Sequence, residues 1–378
     1  MTTVLLFGVL SALVQFWSWQ SDGRAADDTE QLVLVQEIQS SLLRADALAT
    51  NAFLAGANAE GDQQEEYDAA VASVFAHIAE AAEAQSADRE ALAALNVAVN
   101  DYATAVAEAR VNNRQGFPVG AEYLNLASEG LRADAIPILA NLAEANGERA
   151  EDAMGGQQPV WLVLIGIAAL VVLVRVNQVL ARQFRRRINV GVAVAALVVL
   201  LTTVVSAAAA ARGSDQNDDL LGDELRSAVD QAAARTAAND AKANESLRLI
   251  KRGSGEVFEA PWRESAAVVE DRAAEETLDE WAAYAESHAE IVALDDEDRW
   301  LLAREIAIGD GEDDSTRRFA AFDDASDALV GEMAETTTEA LRSGRGFALA
   351  GSLLTLALGF VAAVAVARGI GARRREYA

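Results

Sequence analysis

Four apolar stretches divide this chain into alternating apolar and acidic regions, and that alternation limits what the chain can fold into. The stretches occupy residues 3–19, 159–174, 190–211 and 347–367, and they contain almost no charged side chain. As helices they are long enough to cross a hydrocarbon core of roughly 30 Å, in which every backbone polar group must be paired internally. The sequence therefore predicts an all-α integral membrane protein with four transmembrane helices.

Arginine placement predicts which regions face the cytoplasm, because short loops rich in Arg and Lys are retained there. The acidic regions carry net charges of −17 (residues 22–152) and −21 (residues 215–342), so both are expected outside. We therefore expect a multi-pass protein of the plasma membrane with both termini in the cytoplasm. The basic residues of the inner loop are Arg175, Arg182, Arg185, Arg186 and Arg187, and those of the tail are Arg368, Arg373, Arg374 and Arg375.

The predicted organisation is a span, an outer bundle and a span, present twice. We assign transmembrane helices to residues 1–19, 158–174, 190–211 and 347–367, extracytoplasmic bundles to residues 20–157 and 212–346, a basic cytoplasmic loop to residues 175–189, and a basic tail to residues 368–378. The first span is short and resembles a signal peptide, but it lacks a basic leader and a convincing cleavage site. We therefore read it as an uncleaved anchor.

Helical periodicity and breaks predict a four-helix bundle in each acidic region. In the first, helices are expected up to Gly56, over 63–84, over 87–111 after an N-cap at Ser86, and from 121 onwards with a kink at Pro137. In the second, helices are expected over 215–251, up to a break at Gly253, then over 262–271, 275–293, 297–308 and from 315 onwards. The matched order of spans, breaks and helices indicates an internal duplication.

Three runs, residues 43–56, 113–121 and 240–247, resemble a family of actinobacterial four-span membrane proteins. The resemblance covers nearly the whole chain. It implies outer domains similar to the four-helix-bundle sensor domains of bacterial chemoreceptors. In the best understood type, a lipoprotein that binds glutamate, aspartate or glutamine acts outside, and the soluble serine/threonine protein kinase G acts inside.

The resemblance thus implies a non-enzymatic signal transducer with a solute-binding lipoprotein and a cytoplasmic kinase as partners. The short inner segments leave no room for a catalytic output domain, so we expect the output to pass to another protein. Two alternatives stay open: a structural or scaffolding protein of the cell envelope, and direct sensing of a small molecule within a bundle. A homodimer is also left open.

The spans are expected to pack closely rather than to transport, because transport pathways usually carry ionisable groups. A small residue recurs every four positions along the fourth span, which lets helix backbones approach. These residues are Gly351, Thr355, Gly359, Ala363 and Ala367, and a similar series on the third span begins at Gly191. The stripe serves either as a sliding interface or as static packing.

In the inner loop, Arg182, Arg185, Arg186 and Arg187 are expected to contact either a cytoplasmic partner or anionic lipid. A nucleic-acid role is not expected, since no folded domain surrounds this basic run.

Catalytic, cofactor and metal sites are not expected. His77 and His288 each stand alone in a predicted helix, and no known catalytic motif is present. Residues 295–298 are all acidic but lack the EF-hand pattern, so we read them as a solvated turn and helix start. Arg44, Asp46, Thr50 and Asn51 are polar residues of the first resembling run, of the kind that an amino-acid ligand would need. Arg44 and Asp46 diverge by about 200° around a helix, so solvated surface is expected instead.

Overall fold

The computed structural model describes residues 1–55, 62–113, 117–184, 189–309 and 311–376, and every regular element in these ranges is helical. The helices up to the inner loop are α1 (Thr2–Ala55), α2 (Asp62–Ala84), α3 (Arg89–Asn113), α4 (Phe117–Gly130), α5 (Ile136–Met154) and α6 (Pro159–Phe184). The helices after that loop are α7 (Val190–Asp219), α8 (Arg226–Ile250), α9 (Glu259–Arg272), α10 (Leu278–Asp296), α11 (Trp300–Ile308) and α12 (Ser315–Glu376).

The predicted helices agree with the observed ones to within a few residues. The break at Gly253 is real, and its φ of 74° lies in the left-handed region that glycine tolerates best. The breaks expected at Gly56 and Gly116 lie outside the described residues. The N-cap expected at Ser86 is wrong, because Ser86 begins a short 3-10 turn (Ser86–Asp88) that precedes α3.

A wide helical turn, Leu131–Ala135, joins α4 to α5 just before Pro137. Its backbone bonds reach one residue further than in an α-helix, and the N–H of Ile136 donates to the carbonyl of Leu131. Proline cannot donate, so the kink expected at Pro137 takes the form of a turn with one extra residue. A second wide turn, Leu220–Leu225, separates α7 from α8.

The chain forms two compact units. We call Met1–Asp28, Glu148–Asp223 and Thr337–Ala378 the apolar unit. The acidic unit consists of a first segment, Thr29–Gly147, and a second segment, Glu224–Thr336. Within the described ranges, four helices are long and apolar enough to cross a membrane. The protein is therefore a multi-pass membrane protein of the all-α class.

Within the apolar unit, helices approach where small residues meet. A Cβ added to Gly359 of α12 would lie 2.9 Å from the Cα of Gly8 in α1. Beside this crossing, Gln15 donates a hydrogen bond of 3.0 Å to the hydroxyl of Thr355, and Ser352 donates one of 2.9 Å to the carbonyl of Ala12. Small residues and side-chain hydrogen bonds thus hold α1 against α12.

The acidic unit has a large hydrophobic core that draws on both segments, and a smaller one within the second segment. Residues of α1, α2, α3 and α4 share the large core with residues of α8, α10 and α11. The last turns of α8, residues 241–250, are buried on every side. An ordinary surface helix buries one face only, so α8 is a central helix of this unit.

Gly359→Ala is expected to destabilise the protein by about 1–3 kcal/mol, because the new methyl group meets the backbone of α1 and cannot be accommodated by a rotamer change. Thermal unfolding of the purified full chain in detergent, followed by tryptophan fluorescence, measures the effect. Gly344→Ala in the same helix is the control, since a Cβ there meets nothing within 4 Å. There, alanine's higher helix propensity should leave stability unchanged or raised. Equal melting temperatures for the two variants would contradict the close approach.

Candidate functional site

A buried carboxylate organises the first segment. Asp46 of α1 is fully buried, and it accepts hydrogen bonds from the hydroxyls of Ser128 (2.6 Å) and Tyr102 (3.2 Å). Arg132, in the wide turn after α4, donates to its other oxygen at 2.9 Å. The expectation of solvated surface is wrong for Asp46, and also for Thr50 and Asn51, which are buried on the same helix.

Arg132 also reaches the second segment. Its Nε donates to Asp240 of α8 at 2.8 Å, and its Nη2 lies 2.6 Å from the same carboxylate oxygen. The other oxygen of Asp240 accepts from Ser265 (2.8 Å) and Asn244 (3.1 Å). Burial lowers the pKa of Arg132, but Asp46 and Asp240 raise it above its usual value. We call this arrangement, in which one guanidinium joins α1 to α8, the Arg132 bridge.

A second bridge joins the same two helices with the charges reversed. Asp323 of α12 is buried and accepts from Arg235 of α8 at 2.8 Å and from Asn239 at 2.9 Å. Arg44 of α1, which is partly exposed, donates to it at 2.7 Å. Burial raises the pKa of Asp323, but Arg235 and Arg44 lower it below its usual value. We call this the Asp323 bridge.

The two bridges follow one plan. In the first segment, Arg132 contacts α1 of its own segment and α8 of the other. In the second segment, Asp323 contacts α8 of its own segment and α1 of the other. Further polar contacts reinforce the join: Arg304 donates to the carbonyl of Leu54 at 2.7 Å, and Lys251 pairs with Glu122 at 2.9 Å. A change in either segment therefore alters contacts in both.

A buried ionic cluster lies wholly within the second segment. Glu245 of α8 accepts hydrogen bonds from Lys242 and from Ser315, each at 2.6 Å. His288 of α10 contacts the other oxygen of Glu245 through Nδ1 at 3.0 Å. Burial raises the pKa of Glu245, but Lys242 and His288 lower it to about 2. The carboxylate is therefore ionised although it is fully buried.

His288 is held from two further sides. Its ring stacks on Trp262, with centroids 3.8 Å apart, and its Nε2 lies 3.4 Å from Glu259. Burial lowers the pKa of His288, but the two carboxylates raise it above its usual value. The partners of His288 come from α8 and α9, which the sequence of its own helix does not reveal.

The acidic run at 295–298 is largely exposed, as expected, but it ends a helix rather than starting one. Asp295 and Asp296 end α10 and pair with Arg248 of α8, at 3.1 and 2.5 Å. Asp298 lies in the turn before α11 with a φ of 60°. The run is thus a helix end and a turn that fastens α10 to the central helix.

A cavity of about 530 Å³ lies in the acidic unit, with walls from both segments. Arg132 and Asp240 of the Arg132 bridge form part of its lining, together with Gln36 of α1, Ser265 of α9 and Arg272. This volume is within the range of small-molecule sites. Periodicity alone gives no signal for this cavity, because its walls are up to 236 positions apart in sequence.

The residues of the inner loop and of the spans that were singled out from the sequence lie outside the two bridges and the ionic cluster. Arg182 is exposed near the end of α6, whereas Arg185, Arg186 and Arg187 lie outside the described residues. Along α12, Gly351 lies against Gln15 and Gly359 against Gly8 of α1, Thr355 and Ala363 are buried, and Ala367 is partly buried. Gly191 of α7 approaches Gly369, so the third span packs on α12 as well.

Comparison with known proteins identifies one region. Residues 21–155 match the family model described as an actinobacterial sensor domain. No curated protein and no solved structure matches the chain. The matched range contains the first segment of the acidic unit and stops before the second span. Together with the four candidate spans, it fits an actinobacterial sensor membrane protein.

Arg132→Met is expected to destabilise the acidic unit by about 3–5 kcal/mol, because it leaves the buried carboxylate of Asp46 without its cation. Thermal unfolding of the full chain in detergent measures the loss. Arg299→Met is the control, since that arginine makes an exposed pair with Glu297 and such pairs contribute at most about 1 kcal/mol. A loss for Arg132→Met no larger than for the control would show that the bridge does not hold the unit together.

Stability is expected to fall as pH rises above about 6.5, the ordinary pKa of histidine. The folded pKa of His288 is raised, so protonated His288 stabilises the fold fully below 6.5 and this contribution is lost as pH passes the folded pKa. Melting temperatures of the full chain at pH 6, 7, 8 and 9 measure the slope. His288→Gln should flatten it, whereas His77→Gln should not. A His288→Gln protein with the original slope would assign the effect to another group.

Proposed function

We propose that this protein is a non-enzymatic transmembrane signal transducer. It receives an extracytoplasmic amino-acid signal through a solute-binding lipoprotein and relays it to a cytoplasmic serine/threonine kinase. The match of residues 21–155 to a sensor domain carries the proposal. The resemblance of the runs at 43–56, 113–121 and 240–247 supplies the two partners.

The charge distribution supports the direction of the relay. The loop of residues 175–189 carries five arginines, which favours a cytoplasmic location, and the strongly acidic segments are then extracytoplasmic. This orientation places both termini in the cytoplasm. The basic loop is then the surface that the kinase meets.

The two charge bridges give the acidic unit a means of responding as a whole. A signal requires a ligand or partner with different affinities for two states of the receiver. Since Arg132 and Asp323 each contact both segments, a partner that displaces one helix changes ion pairs in the other segment. Helices α1 and α12 contribute residues to both units and so supply the route towards the spans.

An exposed apolar stripe on α4 offers a surface for the lipoprotein. Val119, Tyr123 and Leu126 recur at spacings of four and three, and each is at least 40 % exposed. Large apolar side chains grouped outside the membrane often mark interaction sites. We assign the docking of the lipoprotein to this stripe.

Single cysteines test the relay, because the chain contains none of its own. Tyr123→Cys and Arg182→Cys carry a thiol-linked photocrosslinker in native membranes, and mass spectrometry identifies the captured proteins with and without added glutamate, aspartate or glutamine. We expect a lipoprotein at position 123, a kinase at position 182, and yields that depend on the amino acid.

Two controls define the outcome. A membrane-impermeant maleimide applied to intact cells should label Tyr123→Cys and spare Arg182→Cys, which fixes the sides of the membrane. Glu90→Cys, an exposed position on α3, should not capture the lipoprotein. Capture of envelope proteins alone, unchanged by amino acids, would favour a scaffold and overturn the transducer.

A further inference from the structure

The imidazole of His288 lies between two carboxylates inside the second segment. Its Nδ1 contacts Glu245 of α8 at 3.0 Å, and its Nε2 lies 3.4 Å from Oε2 of Glu259, the first residue of α9. His288 is only 3 % exposed, so water has little access to either contact. A neutral imidazole has one N–H donor, whereas the protonated ring has two. Both carboxylates therefore face a donor only while His288 is protonated.

The surroundings of the two carboxylates decide which contact a neutral ring keeps. Glu245 is fully buried, so leaving it without a donor is the more costly choice. Glu259 lies at the edge of the cluster, with 16 % of its side chain exposed. A neutral ring therefore keeps its N–H on Glu245 and turns a lone pair towards Glu259. The charged and titratable groups that face His288 or its two carboxylates are Glu245, Lys242 and Arg248 of α8, Glu259 and Arg263 of α9, and Tyr284 of α10.

The two arginines near Glu259 do not take the place of His288. Arg248 comes no closer than 3.6 Å to Oε2 of Glu259, and it is engaged by Asp295 and Asp296. Arg263 contacts the other oxygen, Oε1, at 3.0 Å, and it is largely exposed. Contact of the buried Oε2 with the cluster therefore depends on the proton of His288.

Helix α9 connects this contact to the Arg132 bridge. Trp262, three residues after Glu259, stacks on the ring of His288, and a cation above the face of a tryptophan is attracted to it. Ser265, three residues further, donates to Asp240 at 2.8 Å. Residues three apart are neighbours on a helix surface, so the start of α9 and the bond to Asp240 are close together. A displacement of this end of α9 therefore reaches the carboxylate that holds Arg132.

We propose that His288 is a proton-binding site through which the second segment senses pH, and that its protonation holds α9 against α8 and α10. When His288 loses its proton, its lone pair repels Glu259 and the start of α9 detaches. The bond from Ser265 to Asp240 in the Arg132 bridge then weakens. This response needs no partner protein, so it goes beyond the proposed relay and does not rest on it.

Hydrogen exchange followed by mass spectrometry tests the attachment of α9 in the purified full chain in detergent. Exchange is measured at pH 6, 7, 8 and 9, with labelling times scaled to the intrinsic exchange rate at each pH. Amides of α9 are expected to lose protection by about tenfold or more from the lowest to the highest pH, since a hydrogen bond to a charged group is lost. Amides of α3, in the first segment, report any general loss of stability and should lose less.

Two variants separate the proton from the packing. His288→Gln cannot be protonated, so the protection of α9 should be the same at every pH. Glu259→Gln should keep α9 protected at pH 9, because its amide can donate to the lone pair of the neutral ring. This gain is not expected if Glu259 only fills space, and it keeps the test valid if His288→Gln does not fold. Glu256→Gln, at an exposed position in the turn before α9, and His77→Gln should respond to pH as the parent does.

Ser265→Ala tests the link to the Arg132 bridge. In the parent, the turn Leu131–Ala135 should lose protection as pH rises, because Asp240 loses the hydroxyl of Ser265. In Ser265→Ala the protection of this turn should no longer follow pH, while α9 still responds. A turn whose protection in the parent ignores pH would overturn the link.

Two results would overturn the pH sensor itself. One is an equal loss of protection in α9 and α3, which would mean that the whole unit loosens together. The other is a response of α9 that persists in both His288→Gln and Glu259→Gln. Neither partner protein is present in this assay, so its failure leaves the crosslinking result untouched, and failed crosslinking leaves the exchange result untouched.

Discussion

Arg132, which is partly exposed, and Asp323, which is buried, each pair with helices of both segments, and the acidic unit depends on their pairing with buried partners such as Asp46 and Arg235. A charge taken out of water without a partner is strongly destabilising, whereas a well-paired one is roughly neutral relative to apolar packing. The bridges therefore add little net stability, but they exclude arrangements in which a segment is displaced and a buried charge is left unpaired. The polarity is reversed between them: an arginine bridges two aspartates in one, and an aspartate bridges two arginines in the other.

Helix α8 takes part in both bridges. It supplies Asp240 to one bridge and Arg235 to the other, and Lys242, Glu245 and Arg248 further along it are buried too. A helix with so many charged residues would normally face water. Lys242 and Glu245 pair within α8, and Arg235, Asp240 and Arg248 pair with neighbouring helices, so polar groups determine how α8 fits its surroundings as much as apolar ones do.

The sequence was sufficient for the spans and for most helices, because hydropathy and breaks such as Gly253 are local signals. It was not sufficient for the site. Asp46 looks like solvated surface in the sequence, since its partners Tyr102, Ser128 and Arg132 lie 56, 82 and 86 positions away. His288 looks isolated for the same reason. Which charges become buried is set by the packing of distant helices, and periodicity within one helix does not carry that information.

The wide turn before Pro137 places Arg132 in a part of the helix that contains one residue more than an α-helix would. One residue corresponds to about 100° of rotation about the helix axis. Were the turn to relax to regular α geometry, the guanidinium would swing by roughly that angle relative to α5, away from Asp46 and Asp240. Local helical register and the joining of the two segments are thus set together, because the position of Arg132 relative to α5 depends on that extra residue.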